Sequence, residues 1–306
     1  MQRVLDNLNQ VLIDKGSVVE LLCVALLCQG HVLLEDVPGL GKTMLVKGLA
    51  RSLGGKFSRI QFTPDLLPSD VIGVTIYNQK TMEFLYRPGP VMANIVLADE
   101  INRTSPKTQS SLLEAMEERQ LTVDGETWSL PSPFMVVATQ NPIEYEGTFP
   151  LPEAQLDRFL LRLEIGYPEE HTEMTIVRSQ EDGSHPLTGI GQVMDTDELM
   201  TAQKLAGSIK LSDGLLHYIV ELCSATRKHP ALYLGVSPRG SLALARSAKA
   251  LAWLRGRDYV LPDDIKEMAI PTLSHRLILN PEDKLQGLRQ QDIVDELVNS
   301  ISVPTE

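Results

Sequence analysis

Two glycines, a lysine and a threonine in the run Asp36-Val37-Pro38-Gly39-Leu40-Gly41-Lys42-Thr43 have the types and spacing to hold a polyphosphate. Glycine puts no Cβ between the backbone N–H groups and an anion, so such a loop can curl around phosphate oxygens. Lys42 can reach the outer phosphates, and the Thr43 hydroxyl can hold Mg²⁺. The common form of the pattern opens on glycine, where this chain has Asp36. A second group, Asp99-Glu100, ends the apolar run Ile95-Val96-Leu97-Ala98. Two acids at the end of an apolar strand are costly unless they hold a metal or meet a cation. Asp99 is the expected Mg²⁺ partner, through water. Glu100 is placed to orient and deprotonate an attacking water.

Three more residues have a chemical and a plain reading. Asn141 can hydrogen-bond the water or a γ-phosphate, or simply form the turn before Pro142. Arg158 either pairs with a nearby acid or offers its guanidinium to the γ-phosphate of a neighbouring subunit, where such a group stabilises transition-state charge. Arg239 follows Ser237-Pro238 at a helix start. A cation is disfavoured there unless something else holds it, so it either lies in solvent or reaches back to bound phosphates.

The elements around these residues follow from periodicity. His31-Val32-Leu33-Leu34 is a strand candidate. Val46, Leu49, Ala50 and Leu53 form a helix face after the glycine loop, and Gly54-Gly55 stops it. The helix N-terminus adds partial positive charge to the loop. Residues 56–62 and 134–138 read as further strands, the latter delivering Asn141 to the same sheet edge as Asp99. In open parallel sheets, ligands bind at that carboxyl edge. Residues 74–77 and 83–86 flank a turn and form a hairpin candidate. Asp124-Gly125 is a primed-turn signal inside a second hairpin at residues 121–130. Ser105-Pro106 starts a helix that ends near Arg119. Residues 151–159 read as a short helix leading into a strand at 160–163. Residues 1–30 form two helices joined at Ile13-Asp14-Lys15-Gly16, a stretch that either lids an adenine base or only joins helices. A helix at 169–179 precedes a polar linker containing Asp182-Gly183-Ser184. Helices are then predicted near 197–207, 213–228, 238–255 and 262–277, which make a small all-helical second domain.

At 306 residues the chain can bury two cores. A net charge of −12 argues against a nonspecific grip on nucleic acid. The apolar run at 18–27 is too short to span a bilayer and contains Glu20. No signal peptide opens the chain, and Cys23, Cys28 and Cys223 have no metal or redox spacing. These features predict reduced core thiols in a cytoplasmic protein.

Taken together, residues 36–43, Leu97-Ala98-Asp99-Glu100-Ile101-Asn102-Arg103, residues 112–120, Thr139-Gln140-Asn141-Pro142 and residues 151–159 resemble the MoxR family of AAA+ ATPases. The resemblance covers almost the whole chain. It implies an α/β P-loop fold: a five-stranded parallel sheet sandwiched by helices in a nucleotide-binding domain at 1–190, then a helical lid at 191–306. It also implies a homo-oligomeric ring, usually a hexamer, with ATP or ADP and Mg²⁺ at subunit interfaces. Lys42 and Thr43 match the Walker A motif, and Asp99 and Glu100 match Walker B. Asn141 matches sensor 1, Arg158 the arginine finger and Arg239 sensor 2. Nucleotide contacts then fall to Val37, Pro38, Gly39, Leu40, Gly41, Lys42, Thr43, Met44 and Arg239. The hairpins at 74–86 and 121–130 resemble the helix-2 insert and the pre-sensor-1 hairpin, which face the ring pore or a partner. The family often has Ile-Gly-Gln near the adenine, where this chain has Ile13-Asp14-Lys15. By analogy the family implies chaperone-like maturation of protein complexes or metalloenzymes, often beside von Willebrand factor A-domain proteins.

The function expected is Mg-dependent ATP hydrolysis, read from these residues, driving such remodelling, which the resemblance implies. Alternatives are a slowly hydrolysing switch or scaffold ring, and a magnesium-chelatase-type motor subunit. A P-loop kinase is disfavoured, because Glu100 sits ready to activate water.

Overall fold

The computed structural model describes residues 1–141, 147–181 and 186–304. The turn expected at Pro142 and the polar stretch Asp182-Gly183-Ser184 lie outside the described residues.

The chain opens with α1 (Gln2–Val11), α2 (Gly16–Leu27), β1 (Val32–Glu35), α3 (Lys42–Ser52) and β2 (Phe57–Gln61). Next come α4 (Pro68–Ile72), β3 (Gly73–Asn78), β4 (Glu83–Pro88), β5 (Ile95–Asp99) and α5 (Pro106–Glu118). They are followed by β6 (Gln120–Val123), β7 (Glu126–Ser129), β8 (Met135–Gln140), α6 (Glu153–Leu156), β9 (Leu161–Leu163) and α7 (Glu170–Glu181). The remainder comprises α8 (Thr196–Gly207), α9 (Asp213–Thr226), β10 (Leu232–Leu234), α10 (Pro238–Leu254), α11 (Pro262–Leu273), β11 (Ile278–Leu279), α12 (Pro281–Leu285) and α13 (Gln290–Ser300).

The central sheet is five-stranded in the order β2-β5-β8-β1-β9. β2 runs parallel to β5, β5 to β8 and β8 to β1. β1, β5 and β8 are buried apolar runs, as strands of a covered parallel sheet must be. The apolar face of α3, with Leu45, Val46 and Leu49, is fully buried, and α1 packs on α3. Gly48 permits that approach, since a Cβ there would stand 3.2 Å from the Val11 side chain. The hairpin turn at Asp124-Gly125 has both residues in the left-handed region, φ 51 and 83. That is the demand of a primed turn, and it explains the residue pair.

Contact density divides the chain into two compact units. One holds Met1–Cys23, His31–Leu151 and Leu163–Met200. The other holds Val24–Gly30, Pro152–Arg162 and Thr201–Glu306. The second unit is mainly helical but not wholly so, because β10 and β11 pair antiparallel within it. α6 is shorter than predicted. Helix geometry ends at Leu156, and Asp157 and Arg158 continue as a turn. Cys23, Cys28 and Cys223 are free and buried. Among the described residues, no helix is long and apolar enough to cross a membrane.

His31, just before β1, is buried with both ring nitrogens engaged. Nδ1 accepts from Val136 N–H at 3.0 Å, so Nε2 carries the proton and donates to Met116 O at 3.1 Å. Burial pulls its pKa down to about 4. The unfolded chain takes up a proton near pH 6.5 that the folded chain refuses until about 4. Stability is therefore full above pH 6.5 and falls as pH drops through that window, by about 3 kcal/mol in all. Urea midpoints measured from pH 7.5 to 4.5 should show this slope, and His31→Gln should make it shallower, with buried His275, whose pKa is also lowered, keeping the rest. Parallel curves for the two proteins would count against the assignment.

Candidate active site

The sheet brings the chemistry together at one edge. Glu35 pairs with Gln140, Leu34 with Thr139, Ala98 with Ala138 and Gln61 with Asp99. The carboxyl ends of β1, β5, β8 and β2 thus lie side by side. A cleft of about 330 Å³ there is lined by the phosphate-loop residues, Asp99, Glu100 and Asn141. Pro38, Gly39, Gly41, Lys42, Thr43 and Met44 lie on one wall.

Gly39 and Gly41 have φ of 91 and 83, values a side chain would strain. A Cβ on Gly41 would also stand 3.3 Å from Leu12. No side chain caps the start of α3. Its first N–H groups therefore face the cleft together with the positive end of the helix dipole, as an anion site requires. Lys42 Nζ donates to two loop carbonyls, Asp36 O at 2.7 Å and Val37 O at 3.1 Å. Burial lowers the Lys42 pKa, and the nearby charges of Asp36, Asp99 and Glu100 oppose that shift. An ammonium in such surroundings has a strong electrostatic reason to meet an anion.

Asp36, the departure from the usual motif, has a structural task. Its buried carboxylate accepts from Ile165 N–H and from Gly166 N–H at 3.3 Å. Asp36→Gly restores the common pattern but leaves those donors without partners. It is expected to destabilise the protein by about 1–3 kcal/mol. A denaturant-melt midpoint equal to that of the parent would refute this.

Asp99 and Glu100 share one hydroxyl. Thr139 Oγ1 donates to Asp99 Oδ1 at 2.6 Å and accepts from Glu100 N–H at 2.9 Å. Arg59 donates twice to Asp99 Oδ2, at 2.7 and 3.1 Å, and also holds Gln61 Oε1 at 2.8 Å. Glu100 Oε2 accepts from Gln61 Nε2 at 2.8 Å and from Arg103 Nη1 at 3.0 Å. Glu100 itself adopts φ 56, an uncommon conformation for a side-chain-bearing residue. Such positions persist where surrounding contacts over-determine them, and here the 3₁₀ turn Ile101–Arg103 follows at once.

Arg158 and Arg239 belong to the second unit. Arg158 lies on the turn after α6, and Arg239 in the first turn of α10.

Residues 31–161 match the family described as "ATPase family associated with various cellular activities (AAA)", and residues 224–297 match the AAA lid domain. The chain is 55% identical to YeaC of Bacillus subtilis, over 99% of this chain and 95% of that protein. It is 42% identical to chaperone MoxR1 of Mycobacterium tuberculosis, over 99% of this chain and 82% of that one. The chain belongs to the MoxR family of AAA+ ATPases. The crystal structure of a candidate ATPase from Cytophaga hutchinsonii superposes with a TM-score of 0.91 at 38% identity, covering 99% and 94% of the two chains.

The motifs by which a MoxR-family chain is recognised do not point to every member of this cleft. Arg59 and Gln61 contact the two acids but belong to none of those motifs, whereas Thr139 lies inside one without its own part in the site being singled out. One signal was available. Arg59 and Gln61 are two apart on a predicted strand, so they share a face and reach the same neighbouring strand.

Proposed function

We propose that this protein hydrolyses Mg·ATP in a homo-oligomeric ring and uses the cycle to remodel a protein client. One observation carries the reading. Lys42, Asp99, Glu100 and Asn141 line one cleft at the carboxyl edge of adjacent parallel strands, facing an uncapped helix N-terminus. The phosphates would lie on the N–H groups of residues 37–44 and meet the Lys42 ammonium. Thr43 and Asp99 would hold Mg²⁺, which when bound neutralises phosphate charge and helps the leaving oxygen. Among the described residues no three His, Cys, Asp or Glu cluster to hold a metal unaided. That fits an ion which keeps several waters and takes other ligands from phosphate. Arg59 sits on Asp99 and must share or yield that carboxylate when the cation arrives.

Glu100 is the proposed base. Gln61 and Arg103 keep its carboxylate at the cleft wall, and Asn141 would orient the water or γ-phosphate. Arg158 would act on the nucleotide of a neighbouring subunit, and Arg239 on the phosphates of its own.

An apolar surface supports the protein-client part. The β3–β4 hairpin exposes Met82 (71%) and Phe84 (74%). Its Tyr86 stacks on Trp128 of β7 at 4.7 Å. Exposed apolar patches of this kind mark interaction sites. The name of the Mycobacterium tuberculosis relative points the same way. A von Willebrand factor A-domain protein is the class of client that the family resemblance suggests.

The test is phosphate release from ATP with and without Mg²⁺ over a protein dilution series. The proposal expects Mg-dependent release whose rate per subunit falls on dilution. Release at background level would overturn hydrolysis. A constant rate per subunit would overturn the ring-borne site.

A further inference from the structure

We propose that Asp157 and Arg276 are a positioning pair that presents Arg158 to the neighbouring subunit and ties its turn to the start of α10. This rests on the reading of Arg158 as a group acting in trans.

Arg276 ends the 3₁₀ turn Ser274–Arg276 after α11, and its side chain is 3% exposed. Nε donates to Asp157 Oδ1 at 2.7 Å. Nη2 donates to Phe159 O at 2.7 Å and to Asp157 O at 3.4 Å. Nη1 donates to Leu160 O at 3.3 Å and to Thr272 O. One guanidinium thus grips the residues on both sides of Arg158, across more than a hundred positions of sequence. The other oxygen of Asp157, Oδ2, accepts from Ser237 Oγ at 3.4 Å. Ser237 precedes α10, and its hydroxyl does not cap that helix. Arg239 follows two residues later. One carboxylate therefore joins the turn carrying Arg158 to the helix start carrying Arg239.

A buried arginine is a poor way merely to fill a core. Desolvation is costly, and an apolar side chain of similar volume often serves as well or better. Its rigid fork of donors is suited to holding several acceptors in fixed geometry. Arg276 spends that geometry on the Arg158 turn. Fixed placement matters because a misplacement of about 1 Å can cost 10²-fold in rate.

The test uses the full chain with Asp157→Asn, Arg276→Met, Arg158→Ala and Glu100→Gln. Asp157→Asn and Arg276→Met should each lower phosphate release about 10²-fold and bind a fluorescent ADP like the parent. Each is then mixed with an equal amount of Glu100→Gln, which has no active base but offers an intact Arg158. Mixing should raise release per mole of Asp157→Asn or Arg276→Met at least about ten-fold, as it should for Arg158→Ala, because half of about 10²-fold is recoverable from good neighbours. Parental turnover by both variants alone would overturn the proposal. Failure of mixing to restore them while it restores Arg158→Ala would also overturn it, and a variant too damaged to fold gives that same result. If Arg158→Ala is not restored, the in-trans reading of Arg158 fails and takes this inference with it.

Discussion

An Arg158→Ala variant is expected to bind ATP like the parent and turn it over about 10³–10⁵-fold more slowly, the range seen when a guanidinium that stabilises transferring phosphate is lost. The loss should fall on turnover, because negative charge builds up on the leaving β,γ-bridging oxygen as its bond to the γ-phosphorus stretches. A group that meets this charge only in the transition state lowers kcat without contributing to binding. Arginine suits the task since its charge is permanent and its donors match phosphate geometry. The two parts of the measurement are steady-state phosphate release and titration with a fluorescent ATP analogue. Turnover within ten-fold of the parent would remove Arg158 from the reaction. A parallel loss of nucleotide affinity would instead place it in the owner's binding site.

Glu100→Gln is expected to lower turnover by about 10²–10⁴-fold, the usual contribution of a general base. The amide keeps the shape of the side chain and an oxygen for Gln61 and Arg103, but it cannot accept a proton from water. Binding should survive, because the phosphate loop holds its shape through its own glycines and the Lys42 contacts with Asp36 and Val37. The variant should accumulate unhydrolysed ATP, which acid quenching and chromatography of the bound nucleotide would show. ADP on the variant at the parental ratio would take Glu100 out of the base role.

Much of the fold was legible because its signals are local. The glycine loop, the apolar runs of β1, β5 and β8, the Ser105-Pro106 helix start and the Asp124-Gly125 turn each state a backbone requirement within a few residues. The structure meets each one. Weaker local signals were missed. β10 and β11 are three and two residues long, too short to show a period, and their partner lies more than forty positions away. α12 and α13 fall in the stretch that reads as a helical lid, but its periodicity sets no bounds for them. α6 stops earlier than its sequence suggests, since Arg276 draws on the carbonyls of Asp157 and Phe159 in the turn that follows.

By itself, the sequence determined which chemistry the protein is equipped for. Residue types at fixed short spacings specify the phosphate loop, the paired acids and the family, because those spacings act through one turn or one strand end. Only the tertiary structure decided what surrounds that chemistry. Strand order set β2 beside β5 and so placed Arg59 and Gln61 on Asp99 and Glu100. The chain after β9 brought Ile165 and Gly166 to Asp36, and the packing of the turn after α11 brought Arg276 to both sides of Arg158. Partners that meet across sheet neighbours or distant helices depend on how whole elements pack, and no local spacing encodes that.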